Sequence, residues 1–365
     1  MKHSQTTSAV FLAVLAAVTL FLCPACAIHP LAWHPAPKPA FTGTLTLNDS
    51  LKTLEKIPLG AWCGPEDIVF DAQGNLYCGV HRDASDFSDG RILKIDPSGK
   101  VEEFFSTNSW VAGLHFDRNG NLIALSHRLG LISISPDKVL TVLADHDEKG
   151  RPFLIPNGLD IASDGKIYFS NTSHTSAYTP KYGRKLILEM QPNGGLYRYD
   201  PATGAVKTLI EGTYFGNGVV LSQDESHLLM TETERYRVLR YWLRGDKTGG
   251  TEVFMDNLPG FPNGISIRED GSYWLGFSTR RNDALDKIHP RPGMKKLVYS
   301  LPDFLQPQAD LFGMVLHVSP AGDVLGGLFD PTGTSAPEAG AVKEYGGYLY
   351  IGGDVMPYVR RVKVR

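Results

Sequence analysis

The stretch Phe70-Asp-Ala-Gln-Gly-Asn-Leu-Tyr-Cys-Gly79 returns as Phe116-Asp-Arg-Asn-Gly-Asn-Leu-Ile-Ala-Leu125 and again as Ile161-Ala-Ser-Asp-Gly-Lys-Ile-Tyr-Phe-Ser170. Weaker copies start at Leu221, Ile267 and Val318, and a partial one runs from Glu344 to Gly353. The spacing is mostly about 45 to 60 residues, the range of propeller blades that carry insertions. In each copy an apolar strand ends at a polar turn. Glycine supplies the positive φ that a tight hairpin needs, and a second apolar strand follows. Another alternating pair comes next, as in Arg91–Asp96 and Val101–Phe104. Four strands per repeat is the unit of a β-propeller.

The sequence therefore predicts an all-β fold, a six-bladed β-propeller with four-stranded blades. Five blades begin near Asp67, Ala112, Gly158, Gly218 and Gly264, and the copy at Val318 supplies the outer strands of the fifth. The sixth takes Val342–Tyr345, Tyr348–Gly352 and Tyr358–Val364, and Leu51–Ile57 is the donor of its missing strand. Joining N- and C-terminal strands in one blade closes the ring and removes two exposed sheet edges. The competing reading, a β-sandwich of hairpins, does not call for so regular a recurrence.

Of the 365 residues, 42% are hydrophobic and 21% charged, which excludes wholesale disorder. The formal net charge of −3 gives no basic field, so no nucleic-acid partner is expected. Four cysteines are too few for a disulfide-built scaffold. Residues 1–28 read as a signal peptide or membrane anchor: Lys2 and His3 precede an apolar run from Ala9 to Ile28. Cleavage, lipidation at Cys26 and a retained anchor all remain open. Residues 29–50, with Pro30, Pro35, Pro37 and Pro39, read as an extended spacer, and residues 51–365 as the propeller. The expected location is extracytoplasmic: secreted, periplasmic or membrane-anchored. There Cys63 and Cys78 either bridge or remain buried thiols.

Four polar positions are equivalent in the repeat: Glu66 in Gly64-Pro-Glu66, and Asn157, Asn217 and Asn263, each followed by glycine. Inner strands of a propeller start around the central channel, so these four side chains are expected to converge on the axis. One carboxylate and three amide oxygens form a hard set suited to Ca²⁺ or another divalent cation. Asn-Gly is also a common turn dipeptide, and the recurrence at equivalent positions favours the metal reading. His81, His115, His127 and His174 lack zinc spacing, and neither a Gly-x-Ser-x-Gly elbow nor a phosphate loop occurs. The insertions Asn171–Met190 and Ser278–Phe312 exceed what a blade needs. The second carries Arg280, Arg281, Lys287, Arg291, Lys295 and Lys296, a basic lip or a solvated loop.

Gly64-Pro-Glu-Asp-Ile-Val-Phe-Asp71, Pro156-Asn-Gly-Leu-Asp160, Gly194-Gly-Leu-Tyr-Arg-Tyr-Asp-Pro201, Asn217-Gly-Val-Val-Leu-Ser222 and Asn257-Leu-Pro-Gly-Phe-Pro-Asn263 together resemble the strictosidine synthase-like family. The wider superfamily holds the SMP-30 gluconolactonases and paraoxonases, and the resemblance covers the chain from about Leu51 onward. It implies a six-bladed propeller with axial Ca²⁺ and lactonase or arylesterase activity. The family's metal positions fall on Glu66, Asn157, Asn217 and Asn263. Two departures stand out. Lactonase relatives usually carry aspartate where this chain has Asn263, and an amide is no general base at neutral pH. The true synthases use a glutamate where this chain has Gly340, with Glu338 and Glu344 out of register.

The expected function is a Ca²⁺-dependent hydrolase of lactones or aryl esters, the metal polarising the carbonyl or activating water. Asp67, His115 and Asp310 are the candidates for its general base. The alternative is a non-catalytic, membrane-tethered binding module with a structural metal. A strictosidine synthase-type condensing enzyme ranks third, because of Gly340.

Overall fold

The structure, a computed structural model, describes residues 28–82, 87–175, 177 and 180–364. The apolar run before Ile28 lies outside the described residues. Among the described residues no helix is long and apolar enough to cross a membrane.

Six four-stranded antiparallel sheets form a ring, the six-bladed propeller expected. The inner strands, in order around the axis, are Ile68–Phe70, Val111–Phe116, Pro156–Ile161, Gly216–Leu221, Gly260–Ile267 and Val342–Tyr345. Blade five draws its two outer strands from Gly313–Val318 and Val324–Asp330, beyond the long insertion. Blade six runs Val342–Tyr345, Tyr348–Ile351, Tyr358–Lys363 and, outermost, Glu55–Pro58. The closing strand is thus shorter than the Leu51–Ile57 expected. Leu51 is buried instead, its N–H donating to Phe329 O.

The repeated turn owes its shape to two residues besides glycine. Asp71 Oδ1 accepts the amides of Gln73 and Asn75, and Asn75 Nδ2 donates to Asp71 Oδ2. Asp117, Asn119 and Asn121 repeat the arrangement. Gly74 and Gly120 take φ of 81° and 79° at its tip, where a side chain would be strained.

The core is a set of layers between blades. Successive residues of a strand point to opposite faces. In Leu76–Val80, Tyr77 accordingly packs with Leu114, Leu122 and Ile132 of blade two, while Leu76 and Cys78 pack with Tyr350 and Val359 of blade six. Both faces are covered, so the strand is buried throughout. Each large aliphatic side chain so enclosed contributes about 1.5–3 kcal/mol. Cys63 and Cys78 are thiols, not bonded to each other.

The insertions fold into helices on one face: α1 (Pro180–Glu189), α2 (Asp283–Ile288) and α3 (Pro292–Ser300). The proline-rich segment is extended but docked. Its carbonyls at Leu31, Ala36 and Pro37 accept from Lys295 Nζ, Arg281 Nη2 and Asn257 Nδ2. Trp33 packs on Tyr236 and His289. Arg281 and Lys295 are buried in this strap, so they leave the expected basic lip.

Candidate functional site

Asn157, Asn217 and Asn263 lie within inner strands and not in turns. Around each, the pairing with the second strand slips: between Pro156 and Leu159, Gly216 and Val219, and Pro262 and Ile265. Such a bulge re-aims a side chain. The following glycine is set by the neighbouring blade. A Cβ on Gly158 would sit 2.7 Å from Asn217 O, one on Gly218 2.7 Å from Asn263 O, and one on Gly264 2.6 Å from Gly340 O. The blades meet backbone to backbone here, and no side chain fits between them.

Glu66, Asn157, Asn217 and Asn263 line two axial cavities at once, one of about 340 Å³ and one of about 70 Å³. They form the waist between the chambers. The larger chamber has apolar walls: Trp110, Ile155, Phe215 and Phe261 from the propeller, and Ile187, Leu285, Ile288 and Val298 from the helices. Arg184, Arg280 and Asp310 also line it.

A second ring fixes the waist. Asn157 Nδ2 lies 3.4 Å from Thr172 Oγ1, Asn217 Nδ2 3.4 Å from Thr233 Oγ1, and Asn263 Nδ2 2.9 Å from Ser278 Oγ. Thr172 and Thr233 donate their own protons to Gly216 O and Pro262 O of the next blade, each at 2.7 Å. They can only accept from the asparagines, which turns each amide nitrogen to the hydroxyl and Oδ1 away from it. The equivalent residues at the end of the second strand are His81, His127, Thr172, Thr233, Ser278 and Asp354. Sequence reasoning missed this ring. The signal was the fixed offset from the recurring hairpin, masked by four different residue types.

The waist is acidic and buried. Glu66 is 8% exposed, and its Oε2 has no hydrogen-bond partner. Burial, then the charge of Asp354 and a side-chain hydrogen bond with it, then the charges of Glu338 and Asp67, push its carboxyl well above the usual range. Burial and Asp354 likewise raise Glu338 to about 7. A Cβ on Gly340 would come within 3.0 Å of Asn263 Nδ2 and 3.4 Å of Glu66 Oε2. The absence of a side chain thus lets the Gly340 backbone pack closely against both groups. Among the described residues no three His, Cys, Asp or Glu side chains gather as a metal cage; the axial set is one carboxylate with three amides. His127 lines the larger chamber, and burial lowers its pKa to about 3, so its imidazole is neutral.

The three base candidates separate. Asp67 and His115 line the smaller chamber and Asp310 the larger one. Both carboxylate oxygens of Asp67 accept backbone amides, from Ile68 and from Leu114 on the next blade, each at 2.8 Å. Asp160 makes the same staple to Ile161 and Leu221. Burial still raises Asp67 to about 6. His115 Nδ1 donates to Phe116 O, and its Nε2 lies 3.3 Å from Asp160. Asp310 is held at 2.7 Å by Arg280 Nε.

Six four-stranded sheets closed into a ring around a polar waist make this a six-bladed β-propeller. A gluconolactonase from Xanthomonas campestris has this fold, with a TM-score of 0.61 at 17% identity over 92% of this chain and 98% of its own. Regucalcin from Agrobacterium tumefaciens, described as a calcium-binding protein, gives 0.56 at 15% over 84% and 92%. Residues 157–246 match the strictosidine synthase family and residues 43–95 the strictosidine synthase-like N-terminal family. Strictosidine synthase-like 13 of Arabidopsis thaliana is 37% identical over 70% of this chain and 68% of its own. Human adipocyte plasma membrane-associated protein is 29% identical over 90% and 82%. The chain belongs to the strictosidine synthase-like family.

Proposed function

We propose that this protein is an extracytoplasmic, membrane-tethered hydrolase of lactones or aryl esters that depends on Ca²⁺ or a similar divalent cation. The observation that carries the reading is the buried Glu66 Oε2, without a hydrogen-bond partner, at the same waist as three oriented asparagines. The residues present fit a hard cation. Glu66 and the amide oxygens of Asn157, Asn217 and Asn263 would hold it, and a positive charge there answers the crowded carboxylates Glu66, Asp354 and Glu338. Such an ion, when bound, polarises a carbonyl and acidifies attached water.

The chain's own groups supply the rest. The apolar walls exclude bulk water and strengthen every electrostatic contact at the floor. Neutral His127 and the hydroxyls of Thr233 and Ser278 line that floor as hydrogen-bonding groups. For proton transfer, Asp354 lines the chamber and its side chain bears directly on Glu66. Asp67 has both oxygens committed and Asp310 is paired with Arg280. A gluconolactonase and a calcium-binding regucalcin share the fold, and an animal relative is named for the plasma membrane, which supports this reading.

The test is a panel of lactones and aryl esters with and without chelator. Turnover that chelator abolishes and Ca²⁺ restores supports the reading, and turnover unchanged in excess chelator rejects it. A second reading, a non-catalytic binding module with a structural metal, is favoured by Asn263, whose amide takes no proton. It predicts a Ca²⁺-dependent melting temperature with no turnover on any member of the panel. A condensing synthase remains the weakest reading, because Gly340 supplies no carboxylate at that position.

A further inference from the structure

Thirteen large apolar side chains are exposed among the described residues, and five of them fall between Met294 and Leu311. Met294 and Leu297 lie on α3, Phe304, Leu305 and Leu311 on the segment after it, and Phe304 is 83% exposed. The others are scattered over the ring from Leu31 to Val355. Single exposed apolar residues are ordinary, whereas a cluster marks a contact surface. This cluster rims the larger chamber: Val298 of α3 and Gln306 to Asp310 line the cavity itself.

Two further observations say what covers the cluster. The first is where the tether joins. The described chain begins at Ile28, the last residue of the apolar run. It is fixed to this face at once: His29 N donates to Glu189 Oε1, Leu31 N to Glu189 O, and Lys295 Nζ of α3 to Leu31 O. Leu31 itself is 42% exposed. A chain reaches at most about 3.5 Å per residue, so the few residues between the run and this attachment leave almost no slack. The second is charge. Lys287 and Arg291 are exposed beside the cluster, and Lys296 is partly so. Basic side chains around exposed apolar ones match the headgroup layer of a bilayer, where they meet lipid phosphates.

We infer that the α3 face, with Met294, Leu297, Phe304, Leu305 and Leu311, rests in the headgroup region of a lipid bilayer, so that the apolar chamber opens onto the membrane surface. The inference rests on the membrane-tethered reading of the N-terminal segment. It also narrows the ligand class: a molecule entering there meets lipid, then apolar walls, then a polar floor. An amphiphile with an apolar tail and a carbonyl-bearing head suits that order.

The experiment uses the full chain with photoreactive p-benzoylphenylalanine placed singly at Leu297, at Phe304 or, as control, at exposed Val142 on an outer strand of blade two. Each is reconstituted into phosphatidylcholine vesicles with or without phosphatidylserine, floated on a density gradient, irradiated and analysed by mass. Lipid adducts at 297 and 304 at least fivefold above those at 142 are expected, rising with phosphatidylserine. Lys287→Glu with Arg291→Glu should remove that rise. Protein that floats but gives no such excess overturns the orientation while leaving the tether intact. Adducts to a second copy, or to the apolar run of the same chain, overturn it in favour of that occupant. Protein that fails to float overturns the tethered reading and this inference with it, whereas ester or lactone turnover is read separately and decides neither.

Discussion

Thr233 Oγ1 stands 3.4 Å from Asn217 Nδ2 of its own blade and 2.7 Å from Pro262 O of the next. One hydroxyl thus orients a waist amide and ties two blades together. Thr233→Val keeps the shape and removes both bonds, leaving a buried amide and a buried carbonyl unsatisfied. Stability should fall by about 1–3 kcal/mol, read from urea unfolding. Calcium affinity, measured by calorimetry, should fall as well, because the Asn217 amide can then flip. Unchanged values for both would show that Thr233 does not set the waist.

Glu66→Gln removes the charge and keeps the volume. In chelator the variant should melt no lower than the parent, since it loses a carboxyl whose buried Oε2 lacks a partner. Addition of Ca²⁺ should raise the parent's melting temperature and leave the variant's where it was. A calcium-dependent rise of equal size in both would place the ion elsewhere.

In the metal-free protein the stability that Glu338 and Asp67 contribute should be smaller at pH 7.5 than at pH 4.5. Glu338 lies near 7 in the fold against 4.5 ordinarily, and Asp67 near 6 against 3.8. Both are raised, so at these two sites the native state binds more protons than the unfolded chain across this window, while buried His127 and His289, held near 3, act in the opposite direction. The two carboxyls' favourable contribution is complete below the ordinary values and is lost as pH climbs through 6 to 7. The loss is on the order of 3 kcal/mol for Asp67 alone. Urea midpoints in chelator at several pH values check it, the parent set against Asp67→Asn with Glu338→Gln: the parent's midpoint should fall relative to the variant's as pH rises. Calcium should flatten the decline, because the ion stabilises the ionised carboxylates.

Gly158→Ala brings a methyl group to 2.7 Å from the Asn217 carbonyl and the Gly218 Cα. Backbone cannot step aside as a side chain can, so a cost of about 1–3 kcal/mol or more is expected. Gly326→Ala is the control. Nothing lies within 4 Å of a Cβ there and φ is not positive, so stability should stay within about 0.5 kcal/mol. Equal effects at the two glycines would refute the close approach of the blades.

The ring was legible because its evidence is local and repeated: a two-residue alternation, and an Asp-x-x-Gly turn whose bonds all lie within five residues. The waist was legible for the same reason, as Glu66, Asn157, Asn217 and Asn263 stand at one offset in that repeat. What escaped needs distance. The second ring shares a position but no chemistry, running from histidine through threonine to aspartate. Glu338 and Asp354 approach Glu66 only because blade six closes the circle. The proline-rich segment gave no hint that it docks. Its few free amides looked like a spacer's, and the donors that capture its carbonyls lie more than two hundred residues away, on Asn257, Arg281 and Lys295.

The strand Glu55–Pro58 pairs only with Tyr358–Lys363. During synthesis the first of these leaves the ribosome some three hundred residues before its partner exists, and it must wait unpaired while five blades assemble behind it. The circle shuts in a single late event, after translation has passed the last strand. A stalled or shortened nascent chain would keep that sheet edge open, a template for pairing with any other exposed strand.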